Sequence, residues 1–238
     1  MNAQHTVDYG DARIDYEVTH TNRDTLDIAV APNGVITVRA PMNAKPDQIA
    51  DRVRQRGRWI LTQRRYFDQF RPRTTDRRWV PGETHLYRGR QYRLRIGEPE
   101  RLPQRIRLIG GFLLLDGVDF SDSVTIERMM LAWYRERAHD VFTRQLPGCM
   151  ARFGDRAISP TSVQLRTMRT HWGSMSANGR LSLNPGLVRA PTEAIDYVIT
   201  HELAHLVVPH HGREFWELMT SVLPDHAERK ARLERALM

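Results

Sequence analysis

Apolar and polar positions alternate through much of the first 44 residues, the period-two signature of half-buried strands. Residues 13–19 alternate, and Leu26-Asp27-Ile28-Ala29-Val30 turns through Pro32-Asn33-Gly34 into Val35-Ile36-Thr37-Val38. Asn-Gly between two such runs predicts a hairpin. The period then changes to that of a helix. Over residues 46–70, Ile49, Val53, Ile60 and Leu61 fall inward and a string of arginines falls outward, until Pro72 stops the pattern. Two more hairpins follow: residues 84–87 against 91–96 across Arg88-Gly89-Arg90, and 106–109 against 112–115 across Gly110-Gly111. A second long helix is expected over residues 124–146, ended by Pro147-Gly148. Residues 163–167 and 180–183 predict another hairpin, its loop holding His171-Trp172-Gly173-Ser174-Met175 and a turn at Ala177-Asn178-Gly179.

Strands give way to helices around residues 118–123, which places a soft boundary there. The expected organisation is a β-rich N-terminal subdomain with a basic helix over residues 1–120 and a second domain over 121–238. The fold class is α+β. The sequence shows no internal repeat, low-complexity tract or long linker.

One segment has almost no polar face. Ala194, Ile195, Val198, Ile199, Leu203, Leu206 and Val208 predict a buried helix, opened by Pro191 and closed by Pro209. Glu193 suits the positive end of its dipole. Within that helix lie His201-Glu202-Leu203-Ala204-His205. Histidines four residues apart share one helix face, one turn above the other, so both imidazoles can point at a common metal. Two imidazoles and a carboxylate are costly to bury unless something compensates them, and a divalent cation does. In a catalytic zinc site three protein ligands leave one position for water, whose pKa falls to roughly 7. Glu202 follows a ligand directly and projects about 100° around the helix. It therefore flanks the metal and is the expected general base for the metal-bound water.

The third ligand lies among His210, His211, Glu214 and Glu217. His211 has the metzincin offset of ten residues from His201, but Val208 stands where metzincins have glycine, and no methionine turn follows. A glutamate at 214 or 217 would be the gluzincin-like choice. Spacing alone also leaves His210 and His211 open.

The remaining composition narrows the setting. A chain of 238 residues can bury a sizeable core. It has no apolar run long enough to span a membrane and no signal-like N-terminus. The lone Cys149 cannot form an internal disulfide, so a cytoplasmic protein is expected. The net charge of +8 is carried almost wholly by arginine, with Lys45 and Lys230 the only lysines. Nucleic-acid contact through the arginine face of residues 46–73 is the alternative function this charge suggests: a metal-binding module on nucleic acid, or a protease recruited to DNA.

Several stretches resemble the YgjP-like metallopeptidases, a bacterial zincin group related to SprT-type and WLM-type proteases. The resemblance rests on Asp196-Tyr197-Val198-Ile199-Thr200 leading into His201–His205, and on His211-Gly212-Arg213-Glu214-Phe215-Trp216. It extends to Trp172-Gly173-Ser174-Met175-Ser176, to Gly179-Arg180-Leu181-Ser182-Leu183-Asn184, and more weakly to Arg58-Trp59-Ile60, Gly82-Glu83 and Tyr87-Arg88-Gly89-Arg90. It implies a zincin-like core, one zinc ion, a protein or peptide substrate, and His211 as third ligand beside His201 and His205. Met175 departs from the family pattern, which has cysteine there. A thioether cannot ionise, so a thiolate role at that position is absent.

Around this centre, Trp172 and Ser174 are candidates for substrate binding at a strand bordering the cleft. Asp196 is a candidate acceptor for a ligand imidazole. Phe215 and Trp216 are expected to pack beneath the site, Tyr197 to be core, and His171, His139 and His226 to be solvated.

Overall fold

The computed structural model describes residues 3–31, 34–68, 77–97, 104–168 and 171–237. They form a mixed α+β protein, as expected. The chain divides into two compact units, Met1–Thr74 and Thr75–Leu237.

The first unit is a four-stranded sheet with two helices. Its strands are β1 (Ala3–Tyr9), β2 (Ala12–Thr21), β3 (Asp27–Val30) and β4 (Ile36–Pro41), in the order β1-β2-β4-β3. β3 and β4 form the expected hairpin, closed by Gly34 at φ +83°. Of its turn, Pro32 and Asn33 lie outside the described residues. The helix expected over residues 46–70 is instead two, α1 (Pro46–Gln55) and α2 (Gly57–Asp68), which meet at Arg56. The Tyr9 ring explains Gly57 at the junction: a Cβ there would stand 2.3 Å from the ring. Ile49, Val53 and Ile60 face the core with Ile14, Val38 and Ala40, while Arg52, Arg54, Arg56 and Arg58 are exposed. Phe70 and the stop at Pro72 lie outside the described residues.

The second unit repeats the strand order. β5 (Thr84–Tyr87), β6 (Arg90–Ile96), β7 (Arg105–Ile109) and β8 (Phe112–Asp116) run β5-β6-β8-β7, two hairpins joined by a parallel central pair. Both hairpins expected here are present. Leu94, Leu113 and Leu115 from this sheet share one core with Ile126 and Met130 of α3 (Ser123–Ala151). The boundary expected at residues 118–123 therefore falls inside the second unit, and the division lies at Thr74/Thr75. Burial across that connection outweighs the change from strands to helices that suggested the boundary.

Pro147 also fails to end its helix; α3 runs through it to Ala151. An interior proline costs about 3 kcal/mol. Beyond it, however, Cys149 and Phe153 are almost wholly buried in the core, and that packing holds the last turn in place.

A three-stranded sheet and three helices complete the unit. β9 (Ser162–Leu165), β10 (Gly173–Met175) and β11 (Arg180–Leu183) run β10-β11-β9. The expected hairpin of β9 with β11 is wrong: these two are parallel, and β11 forms its hairpin with β10. The supposed loop holds a strand of its own, which takes the antiparallel place beside β11 across the Asn178-Gly179 turn. A 3-10 turn, Pro185–Arg189, leads into α4 (Thr192–Ala204), and α5 (Arg213–Val222) and α6 (His226–Leu237) follow. Among the described residues no helix is long and apolar enough to cross a membrane.

One buried carboxyl in this unit predicts a pH dependence. Glu234 on α6 is 7% exposed, Lys230 Nζ is 3.9 Å from its Oε1, and its Oε2 has no hydrogen-bond partner. Burial pushes its pKa up to about 7. Between the ordinary carboxylate range and pH 7 the folded chain thus holds a proton that the unfolded chain has released. Stability from this group falls as pH rises through that window, by at most about 1.4 kcal/mol per pH unit. Glu234→Gln should raise the melting temperature by about 4 °C at pH 8 and leave it nearly unchanged at pH 4. Differential scanning calorimetry at the two pH values reads the difference.

Candidate metal centre

The last turn of α4 carries His201 and Glu202, and His205 caps the helix with φ −67°. The helix thus closes four residues ahead of Pro209, in a tight turn whose Val207 and Val208 amides donate back to the Ala204 carbonyl at 3.0 and 2.9 Å. That turn sends the chain back over the helix end and brings His211 up just before α5. Ligand atoms of His201, His205 and His211 lie within 4.8 Å of one another. His210, Glu214 and Glu217 are not in the group. The first two are exposed, and Glu217 accepts from Arg213 at 2.6 Å.

The tautomers are favourable. His205 Nδ1–H donates to the Val208 carbonyl at 3.1 Å, which turns Nε2 toward the group. Nε2 of His201 and Nε2 of His211 stand 2.9 Å apart. Two imidazole lone pairs cannot face each other so closely without a proton or a cation between them. Three nitrogens around one tetrahedral zinc would sit about 3.4 Å apart, a spacing that falls within the 4.8 Å over which the cluster spreads. Burial, reinforced by His211 and His205 and by Lys230 and His226 of α6, pushes His201 down to about 3. Burial, then His205, also lowers His211. Both shifts favour the neutral imidazole, the form that binds a metal. The donor set fits a borderline-soft divalent ion.

Glu202 lies against β10. The residue is 7% exposed, and its carboxylate accepts a hydrogen bond from the Met175 main-chain N–H. Burial raises its pKa to about 7, against the opposing pull of that hydrogen bond. Gly173 makes the approach possible, because a Cβ there would meet Glu202 Cγ at 2.6 Å and Oε1 at 2.8 Å. β10 is an edge strand, and the ladder fixes which of its groups face outward. Trp172 accepts from Asn184 N at 2.9 Å and Ser176 donates to Arg180 O at 3.0 Å, so residues 172, 174 and 176 turn their main chain to β11. Gly173 and Met175 turn theirs the other way.

Beneath the imidazoles is an aromatic bed. The Phe215 ring is fully buried and lies 4.7–4.9 Å from all three histidine rings, as expected of a residue packed under the site. Trp216 is 6.1 Å from His211 but 37% exposed, so it covers the site more than it fills a core. Tyr197 is buried 5.8 Å from His201. His226, expected to be solvated, is half-buried and stacks on Trp216 at 5.7 Å.

A family model described as YgjP-like, metallopeptidase domain, matches residues 24–236. The chain belongs to this family. Membership makes it a metal-dependent peptidase, acting on protein or peptide substrates. A solved structure with detectable similarity is the crystal structure of the metallopeptidase zymogen of Pyrococcus abyssi abylysin. It is 25% identical, with 38% of this chain and 90% of that chain covered and a TM-score of 0.35. No curated protein matches.

The remaining expectations for this YgjP-like chain fare unevenly. Trp172 is half-buried against the core and Ser174 is exposed on β10. His171 and His139 are exposed. Asp196 does not serve a ligand imidazole. His201 Nδ1 is buried without a hydrogen-bond partner and His205 Nδ1 faces Val208, while the Asp196 carboxylate accepts from Arg152 at 3.0 Å and lies 3.6 Å from Arg229. Asp196 ties α4 to the end of α3 and to α6 instead. The residues that the sequence reading passed over are Gly173, as the surface that seats Glu202, and the Met175 amide. At Met175 it is the main chain that makes the contact.

Proposed function

We propose that this metallopeptidase is a zinc enzyme of the His-Glu-x-x-His type, with a zincin-like core, in which His201, His205 and His211 hold one ion and Glu202 is the general base. The observation that carries the reading is the seating of a buried carboxylate, fixed by the Met175 amide and the bare face of Gly173, beside three converging imidazoles. Three imidazoles suit zinc, which supplies Lewis acidity that lowers the pKa of a water and polarises a substrate carbonyl.

The chain's own residues do the rest. Glu202, with a pKa raised toward neutrality, takes the proton of the attacking water and passes it to the departing amine. An extended substrate would pair as an added strand with the outward Met175 carbonyl, with Ser174 and Trp172 beside it. His205 keeps its tautomer through the Val208 carbonyl. The exposed arginines of α1 and α2 have no part in this reading.

Gly173→Ala tests the seating of the base. The added methyl pushes Glu202 aside, and activity should fall by about tenfold to a hundredfold with zinc content unchanged, since small displacements of a reacting group carry costs of that size. Steady-state cleavage of a fluorogenic peptide beside metal analysis checks both halves.

The reading as a whole is tested by mass spectrometry of an unfolded protein incubated with the zinc-loaded chain. Fragments that vanish with chelator and return with added zinc are expected. An unchanged fragment pattern after the zinc is stripped would overturn it.

A further inference from the structure

The first unit holds a groove of about 230 Å³ between its two helices and the start of the outer strand β3. Arg52, Arg56 and Trp59 line one side, and Leu26, Asp27 and Ile28 the other. The three helical residues fall four and then three apart, the spacing of one helix face. The junction of α1 and α2 keeps that face continuous. Arg56 N–H donates to the Arg52 carbonyl at 3.2 Å, and Ile60 N–H to the Arg56 carbonyl at 2.9 Å. Val53 and Ile60 are buried in the core on the far side of the same turns, which holds Arg52, Arg56 and Trp59 out in solvent.

The groove carries an excess of positive charge. Asp27, the carboxylate in its lining, accepts from Arg39 Nε at 3.1 Å and has Arg23 Nη1 at 3.7 Å, so two guanidiniums already answer it. Asp51 is taken up by Arg54. Arg52 donates to the neutral Gln55 side chain at 3.3 Å, and among the described residues neither Arg52 nor Arg56 makes an ion pair. Residues 23–28 and 51–59 with Arg39 hold six arginines against three aspartates, so the excess survives the acids that flank the lining residues in the chain.

Beside these cations stands an aromatic ring. Trp59 is 40% exposed, and across the groove from it are the half-buried side chains of Leu26 and Ile28. An open indole opposite two aliphatic side chains is a seat for a flat ring. The two features suit different parts of one ligand. Guanidiniums pair bidentately with phosphate oxygens, and an exposed aromatic side chain stacks on a nucleobase. A single strand of nucleic acid offers both groups in turn along its length. A duplex offers the charge but keeps the faces of its bases stacked on one another, and an acidic peptide offers charge without a base.

We propose that this groove binds a single strand of nucleic acid. One base lies on the Trp59 indole with Leu26 and Ile28 opposite, and successive phosphates running from it meet Arg56 and then Arg52. Stacking platforms set in a basic groove are a general way of holding single strands without regard to sequence. The site lies wholly within the first unit and does not depend on the chemistry proposed for the metal centre.

The test is fluorescence anisotropy of a labelled nine-residue oligothymidylate with the full-length chain. An abasic strand of the same length and a capped octaglutamate, both labelled, match its charge. The oligothymidylate should bind saturably and about tenfold more tightly than the abasic strand, and chelator should not change its affinity. Trp59→Leu keeps an apolar side chain and removes the ring. It should weaken the oligothymidylate about tenfold and the abasic strand not at all, while Trp59→Phe stays within about threefold of the wild type. Arg52→Gln combined with Arg56→Gln should weaken both strands and make the slope of log K against log salt shallower by about 1.4, the share of two phosphate contacts on a single strand. If Trp59→Leu fails to fold, the two strands compared on the wild type, together with the arginine pair, decide the matter. The proposal falls if the oligothymidylate does not bind at about 0.1 mM chain in about 50 mM salt, or if the abasic strand or the octaglutamate binds as tightly. It also falls if chelator abolishes binding, which would put the strand at the metal centre, or if neither Trp59→Leu nor the arginine pair weakens it.

Discussion

Glu202→Gln should bind zinc as the wild type does and lose about 10²–10⁴-fold in kcat, the range that a positioned general base contributes. The amide nearly matches the carboxylate in shape, so it still fits between Gly173 and α4, where a larger group has no room. What it lacks is the ability to take a proton. Replacing a buried carboxylate whose pKa is already raised to about 7 also removes an unfavourable buried charge. The variant should therefore melt no lower than the wild type at neutral pH. Loss of activity with stability and zinc both retained separates a catalytic group from a structural one. A kcat within about threefold of wild type would remove Glu202 from the mechanism, since that is far below any general-base contribution.

The second large effect is on the metal itself. His211→Ala should weaken zinc binding by more than about 100-fold, exceeding the 10–100-fold that partners outside the ligand set cost. Activity at trace zinc should disappear with it. His211 is exposed and stands in the turn between α4 and α5, so its removal leaves the core intact. It does remove the ring that stacks on His201 at 4.9 Å and the nitrogen 2.9 Å from His201 Nε2. Competition against a chromogenic chelator measures the affinity. His210→Ala, next in the chain but outside the cluster, should leave zinc affinity unchanged. The reverse pattern would mean that the wrong histidine has been placed in the site.

What could be read in the sequence follows from how local each feature is. His201, Glu202 and His205 are fixed by helical period alone, and the buried character of their helix is written in Ala194, Ile195, Val198, Ile199 and Leu203. The hairpins at Arg88-Gly89 and Gly110-Gly111 were legible because turn residues and alternation sit within ten residues of each other. Features that depend on distant partners were not. β10 is only three residues long, and it is a strand because β11 pairs with it. β9 lies parallel to β11, a register that no turn between them dictates. α3 survives Pro147 because Cys149 and Phe153 find a core on the far side of the proline. Asp196 is placed five residues before His201, but its partners come from α3 and α6. Gly173 carried no signal of its own, since the reason for a bare backbone there is the carboxylate of Glu202, 29 positions later in the numbering of the chain.

In the proposed site His201, His205 and His211 enclose one zinc ion with Glu202 beside it. Anomalous diffraction at the zinc edge, from crystals of the zinc-loaded chain, addresses it most directly. A single strong peak is expected about 2.0–2.1 Å from one nitrogen of each of the three rings, with Glu202 outside bonding distance. A peak elsewhere, a peak that lacks His211 as a neighbour, or a Glu202 oxygen bonded to the metal would contradict it.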